Sequence, residues 1–136
     1  MWGEVAFMKK IKLPKPTEAE LAVLRVLWRR GASTVREVWE ELGREQSTGY
    51  TTVLKIMQIM REKGLVKRDE AERSHVYEAA VSEEQTQRQV MGHVIERVFS
   101  GSAHKLVMHA LSSKKATRAE LAEIRKLLDE MEGRSK

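Results

Sequence analysis

Thr48, Tyr50, Thr51, Thr52 and Lys55 crowd hydroxyls and an ammonium into one short stretch of the chain. Such groups donate to and accept from base edges and phosphates, and a thymine methyl packs well against Thr or Tyr. A little further on stand Arg61, Lys67, Arg68 and Arg73, cations of the kind that hold DNA phosphates and so position a protein without reading sequence. The bland alternatives are a solvated helix face and a charged strand edge that discourages aggregation. Bond-making chemistry has no comparable signal. GxSxG, P-loop and GxGxxG patterns are absent, so no enzyme and no cofactor are expected. Cysteine is absent too, which removes disulfides, thiolate metal sites and Cys nucleophiles together. Of the histidines, His75, His93, His104 and His109, the last two are five apart, whereas helical ligand pairs favour three or four. No metal site is expected.

The elements that must carry these residues can be read from caps and periodicity. Pro14 and Pro16 end a lead-in, and Thr17-Glu-Ala-Glu20 has capping-box spacing. Leu21, Leu24, Leu27 and Trp28 then stripe a first helix to about Arg30, broken by Gly31. Thr34-Val-Arg-Glu37 repeats the box, and Val35, Val38, Trp39 and Leu42 stripe a second helix ending at Gly43. The acidic Glu37, Glu40, Glu41 and Glu45 must face away from any DNA. A third helix is expected from Ser47 or Thr48, burying Val53, Ile56, Met57 and Met60 and stopped by Gly64 in a left-handed cap. Tyr50, Thr51, Lys55 and Gln58 lie largely off that buried face. Leu65-Val66 opens a strand, Asp69–Arg73 is a polar turn, and Ser74–Ala79 alternates back, with Val76 on one face and His75 and Tyr77 on the other. Helices followed by a β-hairpin in this order predict a winged helix-turn-helix.

Beyond Val81 the character changes. Ser82-Glu-Glu-Gln85 caps a helix bearing Val90, Met91, Val94, Ile95, Val98 and Phe99, and Leu106, Val107, Met108 and Leu111 mark a shorter one. Thr117-Arg-Ala-Glu120 caps the last, where Leu121, Ile124, Leu128 and Met131 form a brief a/d seam. Faces this broad need a partner, and a second copy is expected to cover Val90, Val94, Val98, Leu106, Leu121, Ile124 and Leu128. The resulting plan is mainly α with a small β-hairpin wing: a flexible extension over 1–12, a winged helix-turn-helix over 13–81, a three-helix dimerisation region over 82–132 and a flexible tail over 133–136. Met1–Phe7 read as an upstream start with no assigned function. The net charge of +5 is compatible with nucleic acid and is spread over the chain, with 15 basic against 12 acidic residues through Val81 and 10 against 8 beyond it. No run is long enough for a membrane span, and the N-terminus lacks the order of a signal peptide, so a cytoplasmic protein is expected.

Taken together, KKIKLPKPTEAELAVLRVLW, TVREVWEEL, GYTTVLKIMQIMREKGLVKR and RSHVYEAAVSEE resemble the penicillinase-repressor (BlaI/MecI/CopY) family over about Met8–Glu132. The resemblance implies a winged helix, a helical dimerisation region, and a dimeric repressor on a palindromic DNA operator. It also implies control of β-lactam resistance genes in one branch and of copper homeostasis in another. The copper branch carries a cysteine-rich hook that this chain lacks. The β-lactam branch implies a membrane-bound sensor protease cutting at an Asn-Phe pair. By register that bond is His109–Ala110 here, so the expected scissile chemistry is not written. Tyr50 and Thr51 also stand where Pro and Lys occur in staphylococcal members, so the operator need not be the same. Two other readings compete: a winged helix that binds protein alone, and a metal-responsive regulator without a cysteine hook.

Overall fold

The structure is a computed structural model and describes residues 15–43, 47–71 and 73–135; the expectations for the 1–12 extension and for Glu45 lie outside them. Helix α1 (Glu18–Arg30), strand β1 (Ser33–Thr34) and helices α2 (Val35–Gly43) and α3 (Tyr50–Lys63) precede β2 (Val66–Asp69) and β3 (Val76–Ala79). Helices α4 (Glu83–Arg97), α5 (Ala103–Ser113) and α6 (Arg118–Ser135) follow. The capping boxes close as their spacing predicts. Thr17 Oγ1 accepts from the Glu20 amide at 3.1 Å while Glu20 Oε1 accepts from the Thr17 amide at 2.9 Å. Thr34 with Glu37, Ser82 with Gln85 and Thr117 with Glu120 repeat the reciprocal pair. Gly31 stops α1 at φ 88° and ψ −163°, a conformation open in practice only to glycine. Gly64 ends α3 in the left-handed region, as expected, and Leu65 N–H returns to the Met60 carbonyl at 2.9 Å.

Helix α3 starts later than the expected Ser47 or Thr48. Its N-cap is Gly49, with no side-chain cap, and Thr48 stays outside because its carbonyl is taken by Trp39 Nε1 at 2.9 Å. The sheet also holds one more strand than the hairpin. Its order is β1-β3-β2, all antiparallel, with Ser33 opposite Tyr77 on one side and Arg68 opposite Tyr77 on the other. Tyr77 therefore sits in the middle of the sheet and is the inward residue, 1% exposed, while Val76 is half-buried. The core joins Val23, Leu24 and Leu27 of α1, Val38 and Leu42 of α2, and Val53, Met57 and Met60 of α3 to Leu65, Val66 and Tyr77. Each such side chain contributes about 1.5–3 kcal/mol on burial.

By contact the chain divides into two compact units, 1–91 and 92–136, a division that falls inside α4 and not at the 81/82 change of composition. Among the described residues of the second unit none is buried; Val98 is 68% exposed, and Leu121 and Leu128 are exposed as well. Helix α6 continues to Ser135 where a flexible tail was expected from 133.

Glu20 ties this fold to its third helix. Nearly buried, its carboxylate closes the α1 cap and accepts from Lys63 Nζ at 2.8 Å, on the last turn of α3. Burial works against its charge, but the hydrogen bonds from Lys63 and the Thr17 amide outweigh that and hold the carboxyl below its ordinary 4.5. We expect Glu20→Ala to cost about 2–3 kcal/mol, a lost cap plus a charge-assisted hydrogen bond, as read from urea midpoints. A lowered folded-state pKa means the stabilisation is complete above 4.5 and is lost as pH falls through that lower value. The gap between wild type and variant should thus narrow in acid. Trp39→Phe removes the donor to Thr48 together with part of the ring packed on the core, and should cost about 1–3 kcal/mol in the same measurement.

Candidate nucleic-acid interface

Because Val53, Met57 and Met60 face the core, α3 must present its other side outward. Tyr50, Thr51, Thr52, Lys55, Gln58 and Ile59 are all exposed on it. Of the residues expected to lie near bases, the helix places Tyr50, Thr51, Thr52 and Lys55 together, while Thr48 is half-buried in the preceding turn. Tyr50 has a second neighbour, its ring standing edge-on to Trp39 at 5.9 Å, which fixes the first turn of α3 against α2. Of the acidic residues of α2, Glu40 pairs with Arg36 in its own helix, and the other two are drawn to α1. Glu37 and Glu41 pair with Arg30, and Glu41 also with Arg29, at the end of α1.

The expected phosphate contacts separate into two kinds. Lys67 and Arg73 are exposed on the wing. Arg61 and Arg68 converge on the Glu70 carboxylate, Arg61 at 3.6 Å and Arg68 in a direct hydrogen bond. That carboxylate links the last turn of α3 to the start of the wing's turn. Arg68 is largely enclosed, and the Tyr77 hydroxyl, then Glu70, hold its guanidinium still more firmly protonated. Arg68 and, by a weaker coulombic effect, Arg61 and His75 in turn hold the Glu70 carboxyl below its usual range. Exposed pairs of this kind are weakened by water and salt, so Glu70 aims the cations without locking the wing.

Between α2, α3 and the wing lies an open cleft of about 580 Å³. Its lining includes Arg36, Arg68, Arg73 and His75 with Tyr50 and Gln58, and among the described residues no carboxylate. Sequence reasoning missed Arg36 and Glu70. Arg36 lies inside a capping box far along the chain from the wing, and no periodic signal reports that kind of neighbourhood. The expected cleavage pair, His109 and Ala110, is exposed in the middle of α5, where the His109 ring lies 5.6 Å from Phe99.

This arrangement has relatives. The penicillinase repressor of Bacillus licheniformis is 23% identical over 125 residues, 92% of this chain and 98% of its own length. The transcriptional regulator BlaI of Mycobacterium tuberculosis (strain ATCC 25618 / H37Rv) is 37% identical over 67 residues, 48% of this chain and 49% of its own. The solution structure of monomeric Bacillus licheniformis BlaI in complex with the blaP half-operator is 26% identical, covering 54% of this chain and 89% of that one, with a TM-score of 0.48. The model of the penicillinase repressor family matches residues 16–130, from the α1 cap into α6. An exposed hydroxyl-rich helix beside a cationic wing, in a chain matched over nearly its whole length, thus places this protein in the penicillinase repressor family of DNA-binding transcriptional repressors.

Proposed function

We propose that the protein is a homodimeric repressor that binds a palindromic DNA operator, each protomer reading one half-site. The observation that carries this reading is the exposed polar face of α3 set beside the wing in one compact unit. A helix of this kind fits a major groove, and the wing reaches the flanking backbone. Tyr50, Thr51, Thr52 and Lys55, with Thr48 at the edge, address bases. Lys67 and Arg73 take phosphates directly, and Arg61 and Arg68 do so while aimed by Glu70.

The dimer rests on the second unit. With no residue buried among those described beyond 91, Val94, Val98, Leu106, Leu121, Ile124 and Leu128, with Val90 before them, are left for a second copy to cover. Among the described residues no helix is long and apolar enough to cross a membrane. The site of action is the cytoplasm, where the operator is. Control of β-lactam resistance genes is the regulatory role that family membership favours. If a membrane-bound sensor protease acts here, its bond is His109–Ala110, and α5 must unwind locally before that bond can enter an extended substrate cleft.

Three measurements test the reading. Thr51→Ala and Thr52→Ala should flatten discrimination between a selected duplex and its point variants, each base pair being worth about 1–3 kcal/mol. Lys67→Ala should weaken all duplexes alike and reduce the salt slope by about one. Equal behaviour of the two classes in gel shifts would refute the division between reader and anchor. Val98→Glu with Leu128→Glu alters only exposed side chains, so the protomer should keep its helices while sedimentation shows a shift from dimer to monomer. An unchanged sedimentation coefficient would sink the proposed interface.

A further inference from the structure

The cleft between α2, α3 and the wing gathers three guanidiniums and an imidazole, Arg36 from α2 and the others from the wing, with no carboxylate among the described residues of its lining. The guanidiniums are not equivalent. Arg68 is committed to Glu70 and Tyr77, and its buried Nε has no acceptor among the described residues. Arg36 is 73% exposed, and its one ion-pair partner among the described residues is Glu40, four residues on in its own helix, at 3.4 Å. Such an exposed pair within one helix contributes little in water, so an incoming anion displaces it easily. Arg73, on the wing, is exposed and has no ion-pair partner among the described residues. Tyr50 belongs both to this cleft and to the first turn of the reading face, so an anion held here lies beside whatever α3 reads.

We propose that the cleft seats one phosphate of the DNA strand flanking the major groove. Arg36 from α2 and Arg73 from the wing are its ligands, and Arg68 is a fixed cationic wall behind them. The inference rests on the DNA-binding reading above and adds Arg36 to the interface. Seating one phosphate between two elements also sets the angle at which α3 enters the groove, because guanidiniums grip a phosphate with directed hydrogen bonds.

A salt titration on a mixed-sequence duplex decides it, because each phosphate neutralised contributes about 0.9 to the slope of log K against log salt. Two cations on one phosphate should be partly redundant. Arg36→Gln and Arg73→Gln alone should each lower the slope by well under 0.9, and the double variant by about 0.9. Arg36→Lys should retain the wild-type slope, and Arg125→Gln in α6 should leave it unchanged. A double variant that loses about 1.8 would assign the two residues to different phosphates, and one that loses nothing would remove them from the interface; either overturns the proposal. Absence of salt-dependent binding by the wild type would instead overturn the DNA-binding reading itself.

Discussion

Glu20 does two things with one buried carboxylate. It completes the cap of α1 and reaches the last turn of α3, 43 residues on in the sequence, through Lys63. A buried carboxylate without partners would be costly enough to be protonated; with the Thr17 amide and Lys63 it stays charged and becomes a strut. The rest of the DNA-facing surface depends on that strut and on its counterpart at the other end of the helix, where Trp39 holds the Thr48 carbonyl. Between the two pins, Val53, Met57 and Met60 fix the rotation of α3 about its own axis. A recognition helix must present a few side chains to within hydrogen-bond tolerance. Packing alone leaves small sliding and tilting motions that directed hydrogen bonds at both ends suppress.

The same economy governs the wing. Two short strands of a hairpin are marginal by themselves, and here β3 gains a second neighbour in β1 and a central aromatic, Tyr77, that anchors the sheet in the helical core. Arg68 is drawn in by that tyrosine and by Glu70, so a cation that sequence alone assigns to the backbone is partly a structural residue. Charge on the wing is thereby graded. Lys67 and Arg73 are exposed with no ion-pair partner among the described residues, whereas Arg61 and Arg68 share a carboxylate that any phosphate must compete with or accept alongside. Graded charge limits indiscriminate attraction to DNA while leaving directed contacts in place.

Much of this was legible in the sequence because much of it is local. A capping box needs only residues three apart, and each one that the spacing announced closes its two hydrogen bonds. Apolar stripes found α1, α2 and the buried side of α3, and Gly64 announced its own left-handed turn. What stayed hidden is tertiary. Strand β1 is two residues long and has no pattern to detect; it exists because Ser33 meets Tyr77. The sequence shows that His75, Val76 and Tyr77 alternate but cannot say which face is inward, and the core settled that in favour of Tyr77. Thr48 looked like a helical residue until the Trp39 indole claimed its carbonyl. Arg36 and Arg73 belong to one cleft only because α2 and the wing fold beside the same helix.

The two compact units divide the physical work unequally. The first holds the buried residues that give the chain a core, and the second holds helices whose apolar side chains are exposed or at most half-buried among the described residues. A unit with its own core does not need a partner to stay folded, whereas one without a core gains most of its stability by association. In a dimer of the proposed kind, reading and pairing are therefore separable. Loss of pairing would leave each winged helix intact yet strip it of the effective concentration that a tethered second half-site provides. A repressor built this way can be switched off by an event in α5 or α6 that never touches the reading helix, since affinity for a palindrome falls once its two halves must be bound independently.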